Sequence, residues 1–239
     1  MTKPIYILNL ETATKNCSVS LAKNGEVIAL KELCEAHFSH AEKLHLFIKE
    51  VLMESALEFK DLSAIAISKG PGSYTGLRIG VSSAKGLCFA LDIPLISIPT
   101  LEALAHATTI KDGFIIPMLD ARRQEVFTAV FDSKYKMVKE TYNYILDENS
   151  YSTYLNNSKV VFIGDGVSKT KEIIHHKNAV FLEGYFPSAK EMASLSFIKF
   201  KDKYFEDVAY FEPFYLKDFH VTISKKKNSS TTNLMANLY

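Results

Sequence analysis

Two carboxylates, Glu11 and Asp120, are the side chains in this sequence best suited to hold a cation. Each follows a short apolar run, at residues 5–10 and 115–119, and each precedes a polar turn and an alternating run. Carboxylates that face one cleft can bind Mg²⁺. No third carboxylate and no lysine is placed to complete such a site, so the pair alone does not establish one.

The segment SKGPGSYTGLRIG, at residues 68–80, has the composition of a phosphate-binding loop. The P-loop pattern places four residues between two glycines and follows the second with Lys and then Ser or Thr. Here five residues separate Gly70 from Gly76, and Leu-Arg follows. A glycine turn before a helix can receive an anion, but it more often permits tight reversal and close packing. We favour that structural role for Gly70, Pro71, Gly72 and Gly76.

The histidines His37, His40 and His45 lack the spacing of a helical metal site. Ligands on one helical face lie three or four residues apart. His37 precedes Ser39, the predicted helix cap, while His40 and His45 are five residues apart. The three cysteines contain no Cys-x-x-Cys pair, and there is no Gly-x-Ser-x-Gly nucleophile elbow. We therefore expect surface or interface histidines and reduced, packed cysteines.

Composition predicts a soluble globular protein. Hydrophobic residues make up 47% of the 239 residues and charged residues 23%, and the formal net charge is +1. Such a charge creates no overall field toward nucleic acid or membrane, so an RNA contact has to be local. The first apolar run is too short for a signal peptide or a membrane span, which predicts a cytoplasmic protein of two domains.

The predicted elements of the first half alternate between strands and helices. An Asn-Gly pair at 24–25 predicts a hairpin within residues 17–33. Ser39 is the predicted cap of a helix that runs from His40 to about residue 57. The other predicted elements are strands at 5–10, 62–68 and 96–98, a helix at 77–91, and a helix capped by Thr100.

The second half repeats the opening pattern. A strand at 115–119 ends at Asp120, the turn Ala-Arg-Arg-Gln follows, and an alternating strand occupies 125–131. A short buried strand near residue 160 and a helix from Ser188 to about residue 200 come later. This order predicts an α/β protein. The pattern is short enough that duplication of a sheet domain and chance recurrence are both open.

The helix at 77–91 is unusually rich in small residues, although a helical glycine costs about 1 kcal/mol relative to alanine. Small side chains allow another element to approach closely. The close neighbour is the chain's own sheet, its first helix, or another chain, and spacing alone favours packing within the chain. The small residues are Gly76, Gly80, Ser82, Ser83, Ala84 and Gly86.

Motifs along nearly the whole chain resemble those of the bacterial TsaB (YeaZ) family of tRNA threonylcarbamoyladenosine biosynthesis proteins. They are ILNLETAT, HAEKL, KGPGSYTGLRIGVSSAKGL, PTLEALA, DARRQEV, FPSAK and EPFYL. The resemblance implies the actin-like ATPase superfamily, with two ribonuclease H-like halves of mixed sheets flanked by helices. It implies domains at 1–108 and 109–223. The tail at 224–239, which the resemblance does not cover, is predicted to be disordered from its Lys, Ser, Thr and Asn content.

The resemblance also implies a function in a complex. Family members are similar to TsaD, which transfers a threonylcarbamoyl group to the adenosine beside the tRNA anticodon, but this chain lacks the His-x3-His spacing of TsaD. The implied role is a non-catalytic subunit that binds and activates TsaD, with a TsaE-like ATPase as a further partner. The chain alone would form a homodimer and bind no cofactor or metal, because ATP and metal belong to the partner complex. It would reach tRNA through that complex and would not bind membranes.

The implied contact surface consists of the first two helices, at 40–53 and 76–87. Its expected residues are His40, Leu44, Phe47, Ile48, Val51, Gly76, Gly80, Ser83, Ala84 and Leu87. Family members usually end the first strand with Asp, whereas Glu stands here, which weakens a nucleotide or metal cleft at Glu11, Thr12 and Asp120. An autonomous ATPase, phosphotransferase or glycoprotease-like hydrolase remains the alternative. Direct tRNA contact through Arg122, Arg123 or the tail lysines Lys225, Lys226 and Lys227 stays open.

Overall fold

The computed structural model describes residues 3–35 and 40–217. Its first sheet has the order β3-β2-β1-β4-β5. Strand β2 pairs antiparallel with both β1 and β3, and β4 and β5 run parallel to β1. Its strands are β1 (Tyr6–Glu11), β2 (Asn16–Lys23), β3 (Glu26–Cys34), β4 (Ala64–Gly70) and β5 (Leu95–Pro99).

The second sheet repeats the first in strand order and direction. Its order is β10-β9-β6-β7-β8, in which β6 to β8 are antiparallel and β9 and β10 run parallel to β6. Duplication, left open by the sequence pattern, is therefore confirmed, and so is the α/β class with two ribonuclease H-like halves. Its strands are β6 (Phe114–Asp120), β7 (Glu125–Asp132), β8 (Met137–Ile145), β9 (Val160–Ile163) and β10 (Ala179–Leu182).

Six α-helices lie within residues 3–35 and 40–217 and flank the sheets. Side chains alternate across a strand, so Leu8 and Leu10 of β1 pack toward α1 and α2, while Ile7 packs toward α3 and α6 on the opposite face. None of the helices described is long and apolar enough to cross a membrane. The helices are α1 (His40–Glu54), α2 (Tyr74–Leu91), α3 (Thr100–Ala105), α4 (Ser152–Leu155), α5 (Val167–Ile173) and α6 (Ala189–Lys201).

Helices α3 and α6 each pack against the sheet of the other half. Leu101 and Leu104 of α3 join a core with Ile115 of the second sheet. Ala189 and Met192 of α6 join the core of the first sheet. The expected division at residue 108 therefore needs a correction, because α6, assigned to 109–223, completes the first sheet's core.

Buried hydrogen bonds hold α6 on the first sheet. The Ser196 hydroxyl donates to Asn9 Oδ1 at 2.7 Å, and the Asn9 amide donates to Ser20 Oγ at 3.2 Å. Ser20 in turn donates to the Ala189 carbonyl at 2.7 Å. Ser188 caps α6 as predicted, accepting from the Lys190 amide at 3.2 Å. The packing of α6 on the first sheet thus gives these buried polar groups their hydrogen-bond partners.

The segment after α6 crosses α2 and reaches the second sheet. Lys85 Nζ of α2 donates to the Ala209 carbonyl at 3.0 Å, and the Phe214 amide donates to the Lys69 carbonyl at 2.7 Å. Lys217 then forms an ion pair with Glu125. The predicted disordered tail at 224–239 lies outside the described residues, as do His37 and Ser39.

Candidate functional site

The glycine segment packs directly on the turn between β1 and β2. A Cβ atom at Gly72 would overlap the carbonyl oxygen of Ala13, and one at Gly76 would overlap that of Thr12. The Ser73 amide donates to the Ala13 carbonyl at 2.6 Å, and the Thr12 hydroxyl donates to the Gly76 carbonyl at 2.8 Å. Only glycine permits so close an approach.

Helix α2 begins within this segment, earlier than the predicted residue 77. Its cap is Ser73, whose hydroxyl accepts from the Gly76 amide at 3.2 Å. A capping hydroxyl satisfies an amide that an anion would otherwise bind. The packing and the cap support the structural role of the glycine segment, which stays an interpretation.

Glu11 is fully buried at the end of β1. Its Oε1 accepts from the Ala13 amide at 2.6 Å, whereas its Oε2 has no hydrogen-bond partner in the described part of the chain. Burial raises the pKa of Glu11 to about 7, against the lowering effect of the Ala13 hydrogen bond. The expectation of a cleft lined by Glu11 and Thr12 is corrected: both are buried, with the glycine segment packed on their turn.

Asp120, at the end of β6, is occupied by contacts within its own half. Its Oδ1 accepts from Lys169 Nζ at 2.6 Å and from the Arg122 amide at 2.6 Å, and its amide donates to Asp165 Oδ1 at 2.9 Å. Within residues 3–35 and 40–217, no three His, Cys, Asp or Glu side chains are grouped to hold a metal ion. Asp120 is therefore paired with an ammonium group, a partner that sequence reasoning did not identify.

Replacing Glu11 with glutamine is expected to flatten the pH dependence of stability. A carboxyl group with a higher pKa in the folded state binds more protons there, so the free energy of unfolding falls as pH rises. The ordinary pKa of Glu11 is 4.5 and its folded pKa is about 7. As the pH rises from the first value to the second, the free energy of unfolding falls by about 2–3 kcal/mol. Urea unfolding at pH 5 and pH 8 measures it: the wild type should lose more stability than Glu11→Gln by about that amount.

Glu26→Gln is the matched control, since Glu26 is exposed. Its free energy of unfolding should change between pH 5 and pH 8 by the same amount as that of the wild type. Equal pH dependence in the wild type and Glu11→Gln would show that Glu11 does not titrate in this range in the folded protein.

Most of the residues expected to bind a partner are buried inside this chain. The apolar stripes of α1 and α2 face their own sheet, as amphipathic helices normally do, so these residues cannot form a surface and that expectation is corrected. Phe47, Ser83 and Leu87 are half-buried. The buried ones are His40, Leu44, Ile48, Val51, Gly76, Gly80 and Ala84.

The opposite side of the same two helices carries exposed apolar and small residues. Leu46, Met53 and Phe89 are 46%, 75% and 85% exposed. Gly86 is also exposed, and a Cβ atom there would meet nothing within 4 Å. The helices are neighbours, since Ser83 Oγ lies 3.3 Å from His45 Nε2. We call the following residues the outer face: Leu46, Lys49, Met53, Ser82, Gly86 and Phe89.

The outer face was missed in the sequence, although its signal is there. Its members recur at helical spacing between the buried positions, at 46, 49 and 53 on α1 and at 82, 86 and 89 on α2. A groove of about 390 Å³ adjoins Met53 where α1 ends. Large apolar side chains exposed on two neighbouring helices indicate an interaction surface.

Comparison with known proteins identifies relatives over most of the chain. Residues 34–226 match the family described as TsaD, tRNA N6-adenosine threonylcarbamoyltransferase. The tRNA threonylcarbamoyladenosine biosynthesis protein TsaB of Bacillus subtilis is 31% identical over 221 residues, which is 88% of this chain and 93% of that protein. A tRNA N6-adenosine threonylcarbamoyltransferase of Staphylococcus aureus is 34% identical over 136 residues, covering 50% of this chain and 39% of that protein.

A solved structure has the same fold. YeaZ from Pseudomonas aeruginosa superposes with a TM-score of 0.76 at 23% identity, covering 89% of this chain and all of that one. At this identity the likeness concerns the fold, and it spans both sheets described above.

Proposed function

Since the chain belongs to the TsaB (YeaZ) family of tRNA threonylcarbamoyladenosine biosynthesis proteins, we propose that it binds and activates a TsaD-type threonylcarbamoyltransferase without itself catalysing the transfer. The family relationship supports a role in making threonylcarbamoyladenosine in tRNA. In this proposal the partner modifies the adenosine beside the anticodon, in the cytoplasm. ATP, metal and a TsaE-like ATPase belong to the complex, through which this chain reaches tRNA.

The outer face is the observation that carries the proposal. An exposed glycine in the middle of α2 costs about 1 kcal/mol relative to alanine, and no atom of residues 3–35 or 40–217 lies close enough to exclude a Cβ atom there. Phe89 gains almost no burial within its own chain. Both features become favourable when a second helix packs on α2. The glycine then allows the second helix to approach closely, and Phe89 becomes buried, as aromatic residues are in interface cores.

A TsaD-type partner suits this face because it shares part of this chain's sequence. Half of the chain aligns with a threonylcarbamoyltransferase, so the partner can offer a related pair of helices. For the same reason the isolated chain would pair with itself in a two-fold arrangement. Homodimer and heterodimer then compete for one surface.

A non-catalytic role agrees with the state of the two carboxylates. Glu11 is buried, and Asp120 is paired with Lys169. Glu11 is thus shielded from solvent, and the charge of Asp120 is balanced by an ammonium group. No observed feature favours the alternative of an autonomous phosphotransferase or hydrolase.

Titration calorimetry with the TsaD-type subunit of the same organism tests the proposal. We expect saturable one-to-one binding, and no threonylcarbamoyl transfer by this chain alone. Absence of binding, or transfer activity in the isolated chain, would contradict the proposed role.

A further inference from the structure

The turn between β6 and β7 contains two consecutive arginines in the left-handed backbone conformation. Arg122 has φ 71° and Arg123 has φ 51°. Such a conformation costs a non-glycine residue about 1–2 kcal/mol. The turn between β2 and β3 instead uses Asn24 and Gly25, at φ 53° and 89°, which tolerate it. Turn geometry therefore does not explain why arginine occupies both positions.

The backbone of this arginine turn is held in place by several hydrogen bonds. The Ala121 amide donates to the Glu125 carbonyl at 3.0 Å, and the Glu125 amide donates to the Arg122 carbonyl at 3.1 Å. Lys169 Nζ donates to the Arg123 carbonyl at 2.7 Å. The two guanidinium groups therefore extend from a fixed base.

The acids beside the arginine turn are already paired with other groups. Asp120 accepts from Lys169, and Glu125 forms an ion pair with Lys217 and accepts from the Asn143 amide at 2.7 Å. Those hydrogen bonds, first from Asn143 and then from Lys217, lower the pKa of Glu125, so it stays charged within its pair.

Both arginines are exposed, and no ion pair joins either of them to an acid of residues 3–35 or 40–217. Nearby Asp165 is half-buried, and its Oδ1 accepts from the Asp120 amide. The arginine turn thus presents two guanidinium charges that its own neighbourhood does not neutralise.

We propose that the arginine turn binds the phosphate backbone of RNA, giving this chain a tRNA contact of its own. Guanidinium groups bind phosphate through paired, charge-assisted hydrogen bonds. A hollow of about 380 Å³ beside Arg123, lined also by Gln124, Glu125 and Ile145, offers room for a nucleotide unit. That the RNA is a tRNA rests on the proposed function, whereas the binding of phosphate groups is inferred from the two arginines.

The test variant Arg122→Asn/Arg123→Gly installs the residues that favour a left-handed turn. It should therefore fold with a Tm no lower than that of the wild type. The control Lys201→Asn/Lys203→Gly also removes two exposed charges, and Lys203 likewise has a left-handed backbone, at φ 55°. Comparison of the two variants distinguishes the loss of a local RNA contact from the effect of a lower net charge.

Fluorescence anisotropy with a labelled, unmodified tRNA transcript measures binding by the full chain at several salt concentrations. We expect the arginine variant to bind about tenfold more weakly, with a salt slope smaller by about 1.5–2, because each lost phosphate contact removes nearly one released counterion. The control should stay within twofold of the wild type.

Three results of the tRNA-binding measurement would overturn the inference. They are no tRNA binding by the wild type, equal weakening in both variants, and displacement of the tRNA by ATP at the same arginines, which would indicate a nucleotide site. Calorimetry with the TsaD-type subunit should give equal affinity for wild type and arginine variant, and weakening there instead of with tRNA would indicate an acidic protein partner. Failure of the proposed function is distinct: the TsaD-type subunit would then not bind the wild type at all.

Discussion

Replacing Ala84 with glutamate is expected to unfold the protein rather than to release a partner. Ala84 is fully buried on α2 in the core shared with Val81 and Cys88. A carboxylate placed there has neither a counter-ion nor space, and such a change costs about 4–5 kcal/mol or more. A domain of marginal stability loses most of its folded population at this cost. Circular dichroism and the soluble yield measure the effect.

Ser82→Glu is the matched control because it introduces the same side chain two residues away. Ser82 is exposed on the same helix, so this variant should fold with the wild-type spectrum and nearly the wild-type Tm. A folded Ala84→Glu protein that fails only in partner binding would return Ala84 to the interface and contradict the burial described here.

Replacing Gly86 with leucine is expected to stabilise the isolated chain and yet abolish partner binding. Leucine favours the helix by roughly 1 kcal/mol over glycine, and its Cβ atom would meet nothing within 4 Å in the described part of the chain. Against a partner helix, however, the added side chain would separate two closely packed surfaces. We expect affinity for the TsaD-type subunit to fall at least about 100-fold, since overpacking an interface core costs several kcal/mol.

Ser194→Leu provides the control for this substitution. Ser194 is exposed on α6, which covers the opposite face of the first sheet. It should leave both partner affinity and the homodimer unchanged, as measured by calorimetry and sedimentation. Wild-type affinity in Gly86→Leu would exclude close packing at the middle of α2.

Elements with strong local signals could be predicted from the sequence, and those with weak signals could not. The Asn24-Gly25 hairpin, the apolar strands and the Ser188 cap were predicted and are present. Strand β8 was missed because it is a largely exposed edge strand with little apolar alternation. Strand β10 and helix α4 have only four residues each, too few for a periodic pattern.

The proposed partner surface lies on the two helices that the sequence indicated, but on different side chains of those helices. Periodicity marks the apolar stripe of an amphipathic helix, and Leu44 and Ile48 belong to that stripe. In this fold the stripe packs on the first sheet, so the surface open to a partner is the opposite one. Exposure of Leu46 and Phe89 depends on which sheet the helices cover, and a single sequence does not show that.

The state of the two carboxylates also depends on distant segments. Glu11 is buried where a glycine segment about 60 residues later packs on its turn, and Asp120 is neutralised by Lys169, 49 residues away. Their positions at strand ends could be predicted from the apolar runs. Their environments could not, because no local pattern brings Gly72 or Lys169 to them.

Nucleoside mass spectrometry of tRNA tests whether this chain activates the TsaD-type subunit. Unmodified tRNA is incubated with threonine, bicarbonate, ATP, the carbamoyl-AMP synthase, and the TsaD-type and TsaE-type proteins, with the wild-type chain, with Gly86→Leu, or with neither. We expect threonylcarbamoyladenosine only in the reaction with the wild-type chain. Equal yield in all three reactions would contradict the role of this chain as the activating partner.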